Sequence, residues 1–472
     1  MAKAPARPRP TKKNPLPLIE LTIDRLDDDG VGISRHGGKE VLVPGALPGE
    51  KVAIAIERAG QRRSTGSLVR VIEPHPRRIP SPCKYLQLCQ GCLLSSFDYP
   101  AQLDFKADRV SRALSRYPSL NQVLRHPLWP ALRPLGYRTS AKLVFGRHRG
   151  RVTLGLYRRG THDVVDTGDC PIHHPLINRI VRTVKEEVAR QEVFVYDQVK
   201  RRGLLRYLTI RVSPAFDKAL VTFVTAERNY RETTHLAKWL QKKVPEVIGV
   251  HQNVNASAGA VIFGRETLRV LGAPDLIDQV GEVRLRIAPT AFFQVNNEQA
   301  GRIYELVRQW AALARDEYAL DIYCGIGGIA LHLAQDAGRV IGIEVAEEAV
   351  RNARENARLN GLQNCDFHAG DAAERVHDLI GKIPPGAVAV INPPRGGCEP
   401  PVLQALANLA PRALIYVSCD PDTLARDLDL LAGLGYRTEE VQPVDMFPHT
   451  PHVETVARLT PAHSVRSANK GG

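Results

Sequence analysis

The sequence predicts a multidomain α/β protein with three parts: a small N-terminal β-barrel, a central α+β region and a C-terminal doubly wound sheet. Three observations carry this expectation. Short alternating strands separated by glycine turns run from Leu18 to about Glu73. From Ile287 onward strand-like runs alternate with helical ones, the pattern of a parallel sheet with crossover helices. The chain, at 472 residues, is also longer than one hydrophobic core usually serves.

The barrel is read from the runs at residues 19–23, 40–44, 51–56 and 66–71, joined by Asp29-Gly30 and Gly37-Gly38. Strands of this length and spacing suit a five-stranded barrel of the oligonucleotide-binding kind. With Gly30-Val31-Gly32 and Val43-Pro44-Gly45-Ala46-Leu47-Pro48-Gly49-Glu50, residues 18–75 resemble a TRAM domain, which implies RNA binding. Residues 76–286 then hold a cysteine-bearing segment and a mixed region, expected to be a substrate-side α+β domain. The ends, residues 1–17 and 461–472, are expected to be tails, the first basic and disordered.

Charge agrees with a nucleic-acid partner. The formal net charge is +14, spread over clusters such as Arg147/Arg149/Arg151 and Lys200-Arg201-Arg202. Such a surface favours polyanions, because each neutralised phosphate releases counterions. The first residues lack the apolar core of a signal peptide, and no apolar run is long enough for a bilayer. The expected setting is therefore cytoplasmic, with a monomeric chain and no membrane partner. In that compartment structural disulfides are rare, so the eight cysteines call for another explanation.

The C-terminal sheet opens on Asp321-Ile322-Tyr323-Cys324-Gly325-Ile326-Gly327-Gly328-Ile329-Ala330, between a strand and a helix. Its glycines let backbone N–H groups approach a ligand closely. Gly325, Gly327 and Ala330 also fit a dinucleotide fingerprint, so the loop alone does not choose its cofactor. Glu344 ends the next strand, placed to accept from ribose hydroxyls, which leaves the choice open. Three further features favour S-adenosylmethionine. Asp371 follows the third strand, where an adenine amino group needs an acceptor. Asn392-Pro393-Pro394-Arg395 follows the fourth strand, as in base and amine methyltransferases. Phe292-Phe293-Gln294-Val295-Asn296 precedes the sheet, placed to cover the methionine end.

Two residues specify the reaction. Cys419 ends the apolar run Ile415-Tyr416-Val417-Ser418, at the strand edge where such sheets bind ligands. Glu454 follows Asp445-Met446-Phe447-Pro448-His449-Thr450-Pro451-His452-Val453. A pyrimidine C5 is a poor nucleophile. A thiolate adding at C6 turns the ring into an enolate that can take a methyl group, and a base must then remove the C5 proton. Cys419 suits the first role and Glu454 the second. A target base inside a fold must first be flipped out, and Phe292, Phe293 and Arg395 are candidates to receive it.

The motifs Asn392-Pro393-Pro394-Arg395, Ser418-Cys419-Asp420-Pro421 and Asp445-Met446-Phe447-Pro448-His449-Thr450 resemble those of the S-adenosylmethionine-dependent RNA (uracil-C5)-methyltransferase family. The resemblance runs from about Leu18 to Leu459. It implies a Rossmann-like methyltransferase domain over 287–460, with Cys419 as nucleophile and Glu454 as base. It also implies Gln294, Tyr323, Gly328, Glu344, Asp371 and Asn392 around the cofactor. The domain order is similar to that of the 23S ribosomal RNA members of RlmD type, which makes 23S rRNA the expected partner. Many members carry aspartate where this chain has Asn392, and asparagine there resembles the RlmC-type branch. Transfer-RNA members are the nearest rivals, expected to lack the barrel and the extra cysteines. A non-catalytic RNA-binding protein is the alternative of a different class.

Cys83, Cys89 and Cys92 form C-x5-C-x2-C, and Cys170 follows downstream. Four thiolates suit zinc or an iron–sulfur cluster, and the spacing does not choose between them. The family resemblance implies a [4Fe–4S] cluster rather than zinc.

Overall fold

A computed structural model describes residues 18–198, 200–257, 259 and 261–462. Of the expected tails, 1–17 and 461–472, residues 1–17 and 463–472 lie outside the described residues, whereas Pro461 ends a strand. The chain divides into two compact units, one up to Ala101 and one from Gln102.

In the first unit six strands form one sheet in the order Leu18–Thr22, Lys51–Arg58, Arg63–Glu73, Lys39–Val43, Gly32–His36, Arg25–Leu26. Ile23, Val41, Val43, Val52 and Ile54 point inward and are buried together. The ends of the sheet meet: Ser34 Oγ donates to the Thr22 carbonyl at 2.5 Å, and Asp24 N to the Ile33 carbonyl at 2.8 Å. That closure removes the exposed edge an open sheet would leave. The strand beyond the expected five is the short Arg25–Leu26, paired to Gly32–His36 through a turn in which Asp27 Oδ1 accepts from Asp29 N and Val31 N. Glu50 is fully buried. Burial alone would raise its pKa, but bonds from Arg78, Leu47 N and His75 N bring it below the ordinary carboxylate value.

The second unit holds two large sheets. The central one has seven strands, in the order Val164–Asp166, Arg151–Tyr157, Ser140–His148, Leu205–Ser213, Lys218–Thr225, Val247–Val254, Glu266–Gly272. Helices Pro175–Arg190 and Tyr230–Lys243 bury Ile177, Ile180, Val184, Leu236 and Leu240 in its core.

The other sheet has eight strands, ordered Cys365–Ala369, Arg339–Glu344, Tyr318–Ile322, Val388–Ile391, Ala413–Ser418, Glu454–Pro461, Tyr436–Val444, Leu124–Arg125. The first five are parallel, and the inner ones such as Val388–Ile391 and Ala413–Ser418 are buried throughout. Strand order reverses beside Tyr318–Ile322, which opens a crevice at the carboxyl ends. The sequence expectation ended this sheet at Ala413–Ser418. In the structure Glu454–Pro461 pairs antiparallel to that strand, with Ser418 opposite Thr455. Glu454 is therefore the first residue of a strand, placed by its pairing with Ala413–Ser418 on one side and Tyr436–Val444 on the other.

Helix Glu347–Leu359 fastens a small hairpin, Leu276–Val280 with Val283–Ile287, to this sheet through an asparagine ladder. Asn352, Asn356 and Asn360 accept from the backbone N–H of Ala288, Arg286 and Arg284 at 3.3, 2.6 and 2.9 Å. The match is geometric: four residues of helix and two of strand both advance about 6 Å.

The segment 445–453, which leads into Glu454, is gripped by one face of helix Tyr99–Leu114. Gln102, Lys106 and Arg109 recur at helical spacing on that face. Gln102 Oε1 accepts from His449 N at 2.8 Å, and its Nε2 lies 3.2 Å from His449 Nδ1. Lys106 Nζ donates to Asp445 Oδ1 and, at 2.9 Å, to the Phe447 carbonyl. Arg109 donates to the Pro451 carbonyl at 3.2 Å. His449 is held at φ 69°, a left-handed conformation unusual for a bulky side chain. Both side chains of the Lys106–Asp445 pair are fully buried. Lys106→Met should therefore leave a buried carboxylate without its cation and cost about 3–5 kcal/mol, read as a lower urea midpoint. Adding Asp445→Leu should recover part of that loss, and an unchanged midpoint in the single variant would refute the grip.

Candidate active site

The glycine loop is shaped by left-handed residues: Tyr323 at φ 66°, Gly325 at 55° and Gly327 at 88°. A Cβ on Gly327 would touch Phe367 at 3.3 Å, and one on Gly328 would press on Tyr304 Oη at 2.9 Å, so neither admits a side chain without movement. At Gly325 an added Cβ would meet nothing within 4 Å, which leaves its backbone open to the crevice. Asp321 Oδ2 accepts from Ala330 N at 2.8 Å beneath the loop. Burial pushes its carboxyl up to about 7 against that bond, with the Glu344 charge adding to the rise.

Glu344 ends its strand as expected, and its carboxylate braces the loop. Oε2 accepts from Gly325 N at 3.2 Å, and Oε1 from Ala346 N at 2.9 Å. Asp371 is exposed and caps helix Ala372–Leu379, with Oδ1 accepting from Ala373 N and Glu374 N at 2.9 and 3.1 Å. Half-buried Tyr323 has its hydroxyl pushed upward by burial, with the neighbouring Cys398 adding to the shift. Gln294 lies on a segment clamped from behind: Arg211 donates to the Ala291 carbonyl, Thr139 N to that of Val295 at 2.8 Å, and Asn296 Nδ2 to that of Met446 at 3.1 Å. Phe292 projects outward with 76 % exposure while Phe293 is buried. Asn392 closes the Val388–Ile391 strand, its backbone N donating to the Ile322 carbonyl at 3.2 Å. Neither the Gln294 nor the Asn392 side chain makes a hydrogen bond among the described residues.

Cys419 is half-buried between the strand that ends at Ser418 and the helix Pro421–Gly433, which Asp420 caps. The strand register sets it beside Glu454. Burial first, then the Glu454 charge, push the thiol up to about 11, opposed by Arg395. Glu454 is 2 % exposed, and its carboxylate accepts no hydrogen bond among the described residues. Burial pushes its carboxyl up to about 7, with Arg395 pulling the other way. A thiol, a carboxyl group poised near neutrality and a guanidinium thus lie close enough to act on one another's charge. That arrangement can add a nucleophile and remove a proton.

Behind the thiol, Asp427 Oδ2 accepts from Tyr416 Oη at 2.6 Å and from Cys398 N at 2.7 Å, which ties the Asn392–Gly397 turn to the Cys419 strand. Sequence reasoning missed this tie as well as Gln102, Lys106 and Arg109. For the helix the available signal was three long polar residues at i, i+4 and i+7.

Cys83, Cys89 and Cys92 flank the helical turn Leu86–Cys89 in the first unit, all half-buried. Burial raises the thiols of Cys83 and Cys89, and the Cys83 charge adds to the shift at Cys89. Gly91 lies beside Cys89, where an added Cβ would come into contact with Sγ at 3.4 Å. Cys170 belongs to the second unit, its N–H and carbonyl both bonded to the Asn178 side chain. Among the described residues no group of three or more His, Cys, Asp or Glu side chains is gathered as for a metal ion. The same residues include no helix long and apolar enough to cross a membrane.

Comparison with known proteins agrees with this geometry. The chain is 48 % identical over 443 residues to an uncharacterized RNA methyltransferase of Geobacter sulfurreducens, covering 94 % of this chain and 90 % of that one. It is 36 % identical to another from Halalkalibacterium halodurans, covering 95 % and 98 %. Among solved structures, the Pyrococcus abyssi tRNA (uracil-54, C5)-methyltransferase in complex with S-adenosyl-L-homocysteine superposes with a TM-score of 0.76 and 27 % identity, over 93 % of this chain and 99 % of that one. The TRAM domain profile matches residues 18–69 and the tRNA (uracil-5-)-methyltransferase profile residues 98–461, so the chain belongs to the tRNA (uracil-5-)-methyltransferase family, with a TRAM domain at its N-terminal side.

Proposed function

We propose that this protein methylates C5 of a uracil in RNA, with S-adenosylmethionine as donor and 23S ribosomal RNA as substrate. The observation that carries the reading is the register of the antiparallel strand, which puts Glu454 beside Cys419 at the carboxyl edge of the parallel sheet. Gln294, Tyr323, Gly328, Glu344, Asp371 and Asn392 would hold the donor, which supplies an electrophilic methyl group. The open backbone at Gly325 is consistent with a ligand there.

In this reading the Cys419 thiolate bonds to C6 of the flipped base, and C5 takes the methyl group. Glu454 removes the proton left on C5. The electrons of that C–H bond re-form the C5–C6 double bond, and the thiolate departs. Arg395 lowers the pKa of both groups and so favours their charged forms.

The solved transfer-RNA enzyme favours a second reading. It covers too much of this chain for the barrel to fall outside the match, so the barrel alone does not exclude tRNA. Radiolabelled methyl donor offered to unmodified 23S rRNA and to tRNA separates the two. Label is expected in 5-methyluridine of 23S rRNA and lost in Cys419→Ala. Label on tRNA alone would overturn the rRNA assignment, and label on neither would overturn the activity.

Glu454 gives a pH signature. Its folded pKa, about 7, stands above the ordinary 4.5, so protonation favours the folded state. That stability is complete below the unfolded value and is lost as pH rises toward 7. Compared with Glu454→Gln, the wild type should lose roughly 1–3 kcal/mol between these limits. Turnover should rise over the same range, as the carboxylate becomes available as a base, whereas a flat profile would count against Glu454.

We also propose that Cys83, Cys89, Cys92 and Cys170 hold a [4Fe–4S] cluster that orders their segments. The tight turn of half-buried thiols supports this. Anaerobically purified protein should contain roughly four iron and four sulfide per chain. Stoichiometric zinc, or no metal, would overturn the proposal.

A further inference from the structure

The central sheet carries a feature the proposed reaction does not use. Val193, Phe194 and Val195 alternate across the chain: both valines are buried, while Phe194 is 77 % exposed. The ring stands on a fixed backbone. The Phe194 carbonyl accepts from Leu204 N at 2.9 Å and from Leu205 N at 3.0 Å. Next to Leu205 in the chain, the Arg206 guanidinium lies 4.9 and 5.7 Å from the ring centroids of Tyr196 and Tyr207 and donates to the Asn255 carbonyl at 2.5 Å. The outward aromatic is thus held rigid at its base, which lowers the entropic cost of stacking on it.

Two clefts flank the ring, and their charges differ. One, of about 790 Å³, is lined by Arg147, Arg151, Arg182 and Lys185 against Glu186 and Glu192. Arg182 is paired with Asp169 and Lys185 with Asp166. Arg147 bonds only to carbonyls, including that of Val193 at 3.4 Å, and Arg151 has no ion pair among the described residues. The other cleft, of about 1080 Å³, balances Arg201, Arg202 and Arg231 against Glu192, Glu227 and Glu232. The first side therefore suits phosphate, with the ring beside it to receive a base.

We propose that Phe194 is a second base-stacking platform, on which an unpaired nucleotide outside the target site rests while Arg147 and Arg151 hold its backbone. This rests on the reading that the substrate is RNA. Strand Leu205–Ser213 fixes the spacing. Its first residue bonds to Phe194, while Arg211 near its far end donates to the Pro289 and Ala291 carbonyls on the segment that carries Gln294. From Leu205 to Arg211 the strand runs roughly 20 Å at about 3.3 Å per residue, so the platform engages nucleotides several positions from the flipped base.

Fluorescence anisotropy on the full chain tests this with two RNAs, a uracil-bearing hairpin and the same hairpin with single-stranded oligoadenylate extensions. Phe194→Ala should weaken the extended RNA about tenfold and leave the bare hairpin within twofold, and Phe194→Trp should restore binding. Arg147→Ala with Arg151→Ala should reduce the salt slope on the extended RNA by about one. Equal binding of both RNAs by wild type and Phe194→Ala, or an equal loss on both, would overturn the platform while leaving the methyltransferase reading standing. Wild type that binds neither RNA would overturn both. The readout is binding alone, so absence of methyl transfer would sink the proposed reaction without touching the platform.

Discussion

The site depends on the antiparallel strand Glu454–Pro461, which lies between Ala413–Ser418 and Tyr436–Val444. In a purely parallel sheet the carboxyl edge receives only strand ends. An antiparallel neighbour brings a strand beginning to the same edge, so a residue entering the sheet can face one leaving it. The pairing of Ser418 with Thr455 sets Cys419 and Glu454 side by side. A one-residue slip would turn Glu454 to the other face, because side chains alternate with period two. The strand is buried on both faces, so a slip would also force its side chains into the wrong packing environments.

Register alone does not fix where the segment 445–453 enters that strand. The helix grip does so, adding a buried ion pair and carbonyl contacts to the apolar packing of Met446 and Val453. Such a pair is a poor source of net stability, because desolvation offsets most of its attraction. Its value is directional: Lys106 can satisfy Asp445 and the Phe447 carbonyl together in only one placement of the segment. A strained His449 follows in that same placement. The enclosure has a second effect. It takes water away from Glu454 and Cys419, which raises both of their pKa values and leaves Arg395 as the cation that moderates them.

Local patterns made much of this legible in the sequence. The alternating strands of the first unit, the glycine loop, the strand-ending Glu344 and the Ser418-Cys419-Asp420 turn each declare themselves within a dozen residues. What escaped depends on partners far apart. Lys106 and Asp445 are separated by 339 positions, and nothing near either one marks the other. The asparagine ladder escaped for a related reason: its period is helical, but its partners are the backbone of a strand some seventy residues away. Glu344 and Asp371 show a third limit. Their positions were readable, but not the loop brace and helix cap their carboxylates provide.

Those two carboxylates bear on how the crevice receives a ligand. Glu344 already bonds Gly325 N, and Asp371 already caps a helix through one oxygen. A ribose hydroxyl approaching Glu344 would add to a carboxylate whose orientation is settled, and an amino group approaching Asp371 would find its second oxygen facing solvent. Preorganised acceptors of this kind lose little freedom on binding, so more of each hydrogen bond counts toward affinity. The same bonds hold the loop open at Gly325, where no side chain intervenes. The crevice edge is thus shaped in advance by hydrogen bonds within the chain itself.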